Sequence, residues 1–437
     1  LTKTHKGAKK GDKMSVTVLV GAQFGDEGKG KVVDYLAADM DMVVRFQGGD
    51  NAGHTVVNEH GVFKLHLVPC GIFKKGCKVF AGTGMVINPD ELSNELAEIE
   101  SKGISIENMY ISSRAIILMP YHIQLDTLSE KGGTSIGTTK RGIGYAYADR
   151  ARRNALRFED LLDLKHCKKR IDTIISTINA ELTAKGGDTV TADEIFEKCV
   201  KWAARFSSMI VEPVSFINKA IDRGEKILFE GQLGAMKDLD LGIYPYVTSS
   251  NPVAAYAAVS AGFPISKITE IVGVMKAFSS AVGAGPFPTE MASEHADGFR
   301  GDGTSIDDEF GARTGRARRL GWLDLPILKY ASVINGFTSI AICKIDKLDI
   351  YDEIKVCTGY KLDGKEIDYM PSAYRLYDVE PIYVTLPGWK EDTSKIREYD
   401  KLPLNARKYI EFIQDYVGIK LKYIGVGPAR EDIIVQQ

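Results

Sequence analysis

The run V16-T-V-L-V20, followed shortly by G25-D-E-G-K-G-K31 and then by V32-V-D-Y-L-A-A38, narrows the fold more than any other feature of the chain. A short β-branched apolar run reads as a buried strand. The glycines read as a tight connection, and Val32–Ala38 as a helix. Strand, glycine loop and helix form the unit from which parallel sheets are wound, and the loop faces the positive end of the helix. The alternation continues downstream. Met42–Phe46, Met109–Ile111, Ile227–Glu230, Ile271–Met275, Ser339–Lys344 and Lys355–Thr358 read as strands. Asp90–Lys102, Phe158–Leu182, Ala192–Ile210, Val214–Arg223 (after a break at Pro213) and Leu323–Asn335 read as helices, as does Pro252–Gly262 with Asn251 as its N-cap. The expected fold class is α/β: one large P-loop-like domain with a long, mostly parallel central sheet flanked by helices.

Composition removes several classes of function. A chain of 437 residues can bury a large core, and its net charge of −2 gives no general attraction to nucleic acid or membrane. Without an apolar run of eighteen or so residues, no membrane span is expected. The six cysteines are scattered and form no C-x-x-C pair, which suits reduced core thiols in a cytoplasmic protein. Residues 1–13 are basic and poor in apolar side chains; they are expected to be a flexible extension or a tag remnant, with residues 14–437 forming the domain.

The glycine loop almost fits the Walker pattern G-x-x-x-x-G-K-[ST], with Gly25, Gly30 and Lys31 in place, but Val32 stands where a metal-binding hydroxyl belongs. Asp26 is the odd member. A carboxylate inside an anion-binding loop repels phosphate unless a cation lies between them or it has a proton to take. It is therefore either a metal ligand or a general base. The plain alternative is a tight turn with solvated charges.

Other stretches point the same way. Q47-G-G-D-N-A-G-H-T55 follows the second strand, and His54 there suits a hydrogen bond to a developing negative oxygen, or else lies idle on a turn. K344-I-D346 follows an apolar strand. Its carboxylate suits the paired N–H donors of guanine, although a strand-end salt bridge has the same spelling. T314-G-R-A-R-R-L-G321 offers forked guanidinium groups for carboxylate or phosphate. G137-T-T-K-R-G-I-G144, Y244-P-Y-V-T-S-S-N251 and G425-V-G-P-A-R430 are further candidate ligand loops. One nucleoside triphosphate needs fewer anion sites than these, so a second phosphorylated substrate, and a carboxylate substrate as well, are expected. A regulatory GTPase and an ATP-dependent ligase or small-molecule kinase are the competing readings. Neither explains the His54 loop and the arginine loop together.

Taken in order with G283-A-G-P-F-P-T-E290 and G321-W-L-D324, these motifs resemble the adenylosuccinate synthetase family from about Val16 to the C-terminus. The resemblance implies GTP-dependent joining of IMP and L-aspartate with Mg²⁺, through a 6-phosphoryl intermediate, as the first committed step from IMP to AMP. It implies that Asp26 takes the N1 proton of IMP and His54 acts as the acid, with Mg²⁺ held by the Asp26 carboxylate and the Gly53 carbonyl. IMP would be held by Asp26, Lys29, Asn51, Ala52, Gly53, His54, Thr139, Gln232, Thr248 and Arg316. Arg153 would reach the neighbouring site in a homodimer. GTP would be held by Gly25, Asp26, Glu27, Gly28, Lys29, Gly30 and Lys31, by Gly53, His54 and Thr55, by Arg318, Lys344, Ile345 and Asp346, and by Gly425, Val426 and Gly427. Aspartate would be held by Ala312, Arg313, Thr314, Gly315, Arg316, Ala317 and Arg318. The chain departs from the family pattern at E230-G-Q-L-G234, where many members read E-G-A-Q-G: Leu233 aligns with the glutamine that contacts IMP, and Gln232 stands one residue early. Arg313, Ala317 and Tyr145 are further departures.

Overall fold

The first strand, Val16–Gly21, lies fully buried inside an eleven-stranded sheet, as its β-branched composition requires. The computed structural model describes residues 15–51, 53–131, 137–305, 307–311 and 315–436. The extension expected at 1–13, Met14, Ala52 and the stretch Ala312, Arg313 and Thr314 therefore lie outside the described residues.

From one edge the strands run Ile433–Val435, Leu421–Gly425, Ser339–Cys343, Glu270–Lys276, Val16–Gly21, Ile227–Gly234, Met42–Gly48, Lys78–Ile87, Met109–Ser112 and Ile210–Val211, with Ile116–Ile117 also pairing Lys78–Ile87. Neighbours are parallel except at the Leu421–Gly425/Ile433–Val435 edge, which is antiparallel. Parallel register gathers the C-terminal ends of Val16–Gly21, Met42–Gly48, Ile227–Gly234 and Ser339–Cys343 along one rim, where ligands of such sheets bind. Apolar cores lie on both faces of the sheet, one containing Val18, Val20, Phe229 and Ile342, the other Leu19, Val43, Leu228 and Ala341.

Several boundaries differ from the sequence reading for identifiable reasons. Phe158–Leu182 is a 3₁₀ turn (Phe158–Leu162) and then a helix (Leu164–Ala184), because the Asp163 side chain caps the backbone N–H of His166. Leu323–Asn335 begins with two extended residues, and Asp324 caps the helix Leu325–Asn335. The Ala-rich helix covers only Ala255–Ala261, so Asn251 is not its cap; the Asn251 amide instead donates to Asp240 at 2.9 Å. Lys355–Thr358 is the middle of a longer strand, Glu353–Leu362, in a separate four-stranded sheet that the sequence reading lacked.

Candidate active site

The glycine loop leads into a helix beginning at Lys29, with Gly28 left-handed at its N-cap. The helix places Val32 in the core at 1% exposure, which is why no hydroxyl is needed there. Asp26 adopts a left-handed φ of 59°, a strained choice for a residue with a side chain and one that clusters at functional sites. Glu27 turns inward. Its carboxylate accepts from the backbone N–H groups of Gln23 (3.1 Å) and Gly25 (2.9 Å) and pairs with the Lys29 ammonium at 2.5 Å. The backbone amides at and just before the loop's first glycine are thus taken by Glu27, which is scaffold in this geometry. Lys31 donates to the Gly427 carbonyl at 2.5 Å, and any side chain at Gly425 would collide with the Lys31 ammonium. The C-terminal G-V-G run therefore closes over the loop.

His54 begins a hairpin, His54–Asn58 with Gly61–Leu65, which crosses the start of the loop helix. Gly30 permits the crossing, because a Cβ there would stand 2.6 Å from the Thr55 carbonyl oxygen. His54 Nδ1 lies 2.5 Å from Glu230 Oε1, and its Nε2 is buried with no hydrogen-bond partner among the described residues. Glu230 also accepts from the Cys70 N–H at 2.9 Å, and the buried Arg45 guanidinium lies 3.9 Å away. Burial lowers the His54 pKa, which the Glu230 carboxylate only partly offsets. Burial pushes Glu230 the other way, but His54 and Arg45 bring its carboxyl below the usual range. Glu230 is therefore ionised and fixes the proton on Nδ1, which leaves Nε2 as the ring nitrogen without a partner among the described residues. His54, Cys70 and Glu230 also have metal-ligand chemistry, but their mutual hydrogen bonds close that cluster.

A second network reaches Asp26 from the opposite side. Arg318 Nε donates to Asp26 at 3.2 Å and Arg318 Nη1 donates to Glu309 at 2.9 Å. Glu309 also pairs with Lys276 and with Lys344, each at 2.6 Å. One buried carboxylate thus collects three cations and joins Asp26 to the K344-I-D346 turn. Burial raises the Asp26 pKa, but Arg318, Lys276 and Lys29 outweigh it and leave the carboxyl below its ordinary value. At Asp346, burial and the neighbouring Asp307 push the pKa up to about 6. Asp346 Oδ1 is buried without a partner among the described residues, as an acceptor reserved for a ligand would be.

Two cavities adjoin along the rim. The smaller, about 120 Å³, is lined by Gly28, Lys29, Gly30, Lys31, His54, Thr55, Arg318, Lys344 and Gly427. The larger, about 530 Å³, is lined by Asn51, Gly137, Thr139, Tyr145, Thr248 and Arg316 among others. Asp26, Gly53 and Leu233 line both. The structure therefore gathers most of the residues picked from sequence.

It sets others apart. Gln232 is fully buried, and its amide donates to the Gly49 carbonyl at 2.6 Å behind the cavity wall. Leu233, left-handed at φ 62°, takes the wall position. Arg153 is an exposed left-handed helix C-cap outside both linings, while its neighbour Arg152 lines the larger cavity. Ile345 and Val426 are fully buried core residues in neither lining. Gly315 and Ala317 are exposed beside Arg316. The sequence reading missed Glu230, Lys276, Glu309 and Lys237 as parts of the site. A charged residue within an apolar strand was the available signal for Glu230.

The model of the adenylosuccinate synthetase family matches residues 18–434. The chain belongs to the adenylosuccinate synthetase family. It is 55% identical over 424 residues to adenylosuccinate synthetase 1 of Methanosarcina acetivorans, covering 97% of this chain and 100% of that one. A solved structure of fully ligated adenylosuccinate synthetase from Plasmodium falciparum superposes with a TM-score of 0.90 at 36% identity, covering 97% of this chain and 100% of the other. The fold alone is shared with the succinoaminodeoxyadenylate synthetase of cyanophage S-2L, at a TM-score of 0.61, 19% identity and coverages of 97% and 95%. A single-domain α/β fold with a large, mostly parallel sheet is thus common to this chain and the adenylosuccinate synthetases.

Proposed function

We infer that the chain condenses IMP with L-aspartate at the expense of GTP, yielding adenylosuccinate, GDP and phosphate. Beyond family membership, one observation carries the reading: two cavities meet at Asp26, Gly53 and Leu233, so a group can pass between ligands held on either side. The smaller cavity, with Lys29, Lys31 and Lys344 in its lining, suits GTP. The larger suits IMP and aspartate, with Thr139, Thr248 and Asn51 toward the nucleotide and Arg316 toward the amino acid.

In the proposed reaction Asp26 accepts the N1 proton of IMP, and the purine 6-oxygen attacks the γ-phosphorus of GTP, breaking its bond to the β–γ bridging oxygen. His54 lines the smaller cavity beside Lys29 and Lys31, and its Nε2 has no partner among the described residues. Bound phosphate charge there favours imidazolium, so His54 donates to oxygens gaining charge as GDP departs. The aspartate amine then adds at C6 and phosphate leaves with the former 6-oxygen. The Asp26 carboxylate and the Gly53 carbonyl form a hard oxygen set that suits Mg²⁺, which would supply charge neutralisation on the phosphates when bound. Glu309 and Lys276 act as positioning residues for Arg318.

We also propose a homodimer in which Arg153, exposed here, completes the partner's nucleotide site; sedimentation and the IMP requirement of Arg153→Leu test it. A cytoplasmic location is supported by six free, buried cysteines, which suit a reducing compartment. No described helix is long and apolar enough to cross a membrane.

Omitting IMP, aspartate or GTP in turn from an adenylosuccinate assay tests the reaction. Product should require all three, and steady GTP hydrolysis without IMP and aspartate would contradict it. Guanine selection is tested at Asp346. Its carboxylate matches the N1–H and 2-amino donors of guanine, whereas xanthine presents a carbonyl at C2. Asp346→Asn should lower kcat/KM for GTP about 100-fold and improve use of xanthosine triphosphate. In the unmodified protein the KM for GTP should rise as pH falls through about 6, because the raised pKa lets the carboxyl protonate there and surrender an acceptor.

A further inference from the structure

The larger cavity contains a cation that no motif announced. Lys237 ends a 3₁₀ turn, Ala235–Lys237, directly after the strand that carries Glu230 and Leu233. It lines the larger cavity together with Thr248 and Asp26. Its Nζ donates to the Tyr246 carbonyl at 3.1 Å, and its own carbonyl accepts from the Thr248 N–H at 2.9 Å. The residue is thus tied to the Tyr244–Asn251 loop through both side chain and backbone, which fixes where the ammonium sits. An ammonium has three N–H donors, and one carbonyl occupies one of them. Among the described residues Lys237 has no carboxylate at ion-pair distance, whereas Arg152 in the same wall pairs with Glu181 at 2.9 Å. Burial and the nearby Arg319 lower its pKa to about 8, with Asp26 acting to raise it. The ammonium therefore stays charged at neutral pH and lies within the field of the Asp26 carboxylate.

The neighbouring positions define what is missing. The purine 6-oxygen must lie at the junction of the cavities, because the phosphoryl group is passed there. Leu233 occupies that junction with an apolar side chain, and the amide of Gln232 is spent on Gly49. Neither supplies a donor to the oxygen. Yet loss of the N1 proton places negative charge on that oxygen and calls for a positive partner.

We propose that Lys237 is a catalytic residue that donates to the 6-oxygen of the bound purine nucleotide, replacing the side-chain amide that Leu233 and Gln232 do not provide. The proposal rests on the adenylosuccinate synthetase reading above. It is tested by comparing Lys237→Met with the unmodified protein in the binding of two ligands: IMP, and purine ribonucleoside 5′-monophosphate, which carries hydrogen in place of the 6-oxygen. The preference for IMP over the analogue should shrink roughly 10- to 100-fold in Lys237→Met, with kcat/KM for IMP falling at least as far. The ratio compares two ligands on the same folded molecules, so a loss of stability does not alter it. Leu233→Gln placed in the Lys237→Met background should restore part of the preference. A ratio within twofold of the unmodified protein, while that protein makes adenylosuccinate, would overturn the role of Lys237 alone. Failure of the unmodified protein to make adenylosuccinate would overturn the reaction reading and this inference with it.

Discussion

Asp26→Ala is expected to lower kcat by about 10⁴-fold or more while leaving the fold in place. In the proposed mechanism two losses combine in one substitution: the group that takes the N1 proton, and the carboxylate that lines both cavities. Folding should survive, because the side chain is 30% exposed and Arg318 keeps its bond to Glu309 at 2.9 Å. The left-handed backbone at φ 59° complicates alanine, which pays about 1–2 kcal/mol to adopt it. Asp26→Asn is the control, since asparagine tolerates that conformation and fills the same space but cannot accept the proton. Both variants should be inactive in the adenylosuccinate assay, with thermal midpoints near that of the unmodified protein for Asp26→Asn. Turnover within tenfold in Asp26→Asn would remove Asp26 as the base, and within tenfold in both would remove it from the mechanism.

The low basicity of Asp26 also shows why a carboxylate rather than a hydroxyl occupies this loop. Arg318, Lys276 and Lys29 hold it ionised, so it is ready as an anion for a metal but reluctant as a base. In the proposed mechanism, proton transfer from IMP then depends on charge being taken up at the other end of the amide system, at the 6-oxygen. Basicity at Asp26 and positive charge at the 6-oxygen are two parts of one requirement.

Local chemistry made much of this legible in the sequence. The strand–glycine–helix unit, the His54 loop, the K-I-D turn and the arginine loop are each continuous in the sequence, and parallel register brings them to one rim. Boundaries failed where a single side chain decided them: Asp163 split a helix, and Asn251 found Asp240 instead of a helix end. The supporting network failed more completely because it is built from distant pairs. Glu230 meets His54, and Lys276 and Lys344 meet Glu309, only after the sheet has assembled. In sequence Glu309 is one member of an acidic run and Lys276 a strand-end charge. Gln232 and Leu233 show a finer limit. Motif alignment located the missing amide, but the alternation of a strand sends neighbouring side chains to opposite faces, and only the structure shows which of the two meets the cavity.

His54 provides the second large effect, and the choice of replacement separates its two nitrogens. Asparagine places an amide roughly where Nδ1 stands, so His54→Asn can keep a donor toward Glu230 while deleting the nitrogen that faces the cavity. Glutamine reaches toward the Nε2 position and abandons Glu230. His54→Asn should therefore lose about 10²–10³ in kcat, the magnitude of removing one donor from developing phosphate charge, with KM for IMP and GTP changed little. Its stability should fall by no more than about 1 kcal/mol. His54→Gln should retain more of the rate and lose more stability, because a buried, ionised Glu230 is left with the Cys70 N–H and thiol and a distant Arg45. Glu230→Gln should act through the imidazole alone: an amide no longer dictates the proton position on the ring, so kcat falls without a comparable rise in either KM. Steady-state kinetics paired with thermal unfolding of these three variants would read out the pattern. Equal rates in His54→Asn and the unmodified protein would assign His54 to packing, and equal losses of rate in the Asn and Gln variants would deny that Nε2 is the working atom.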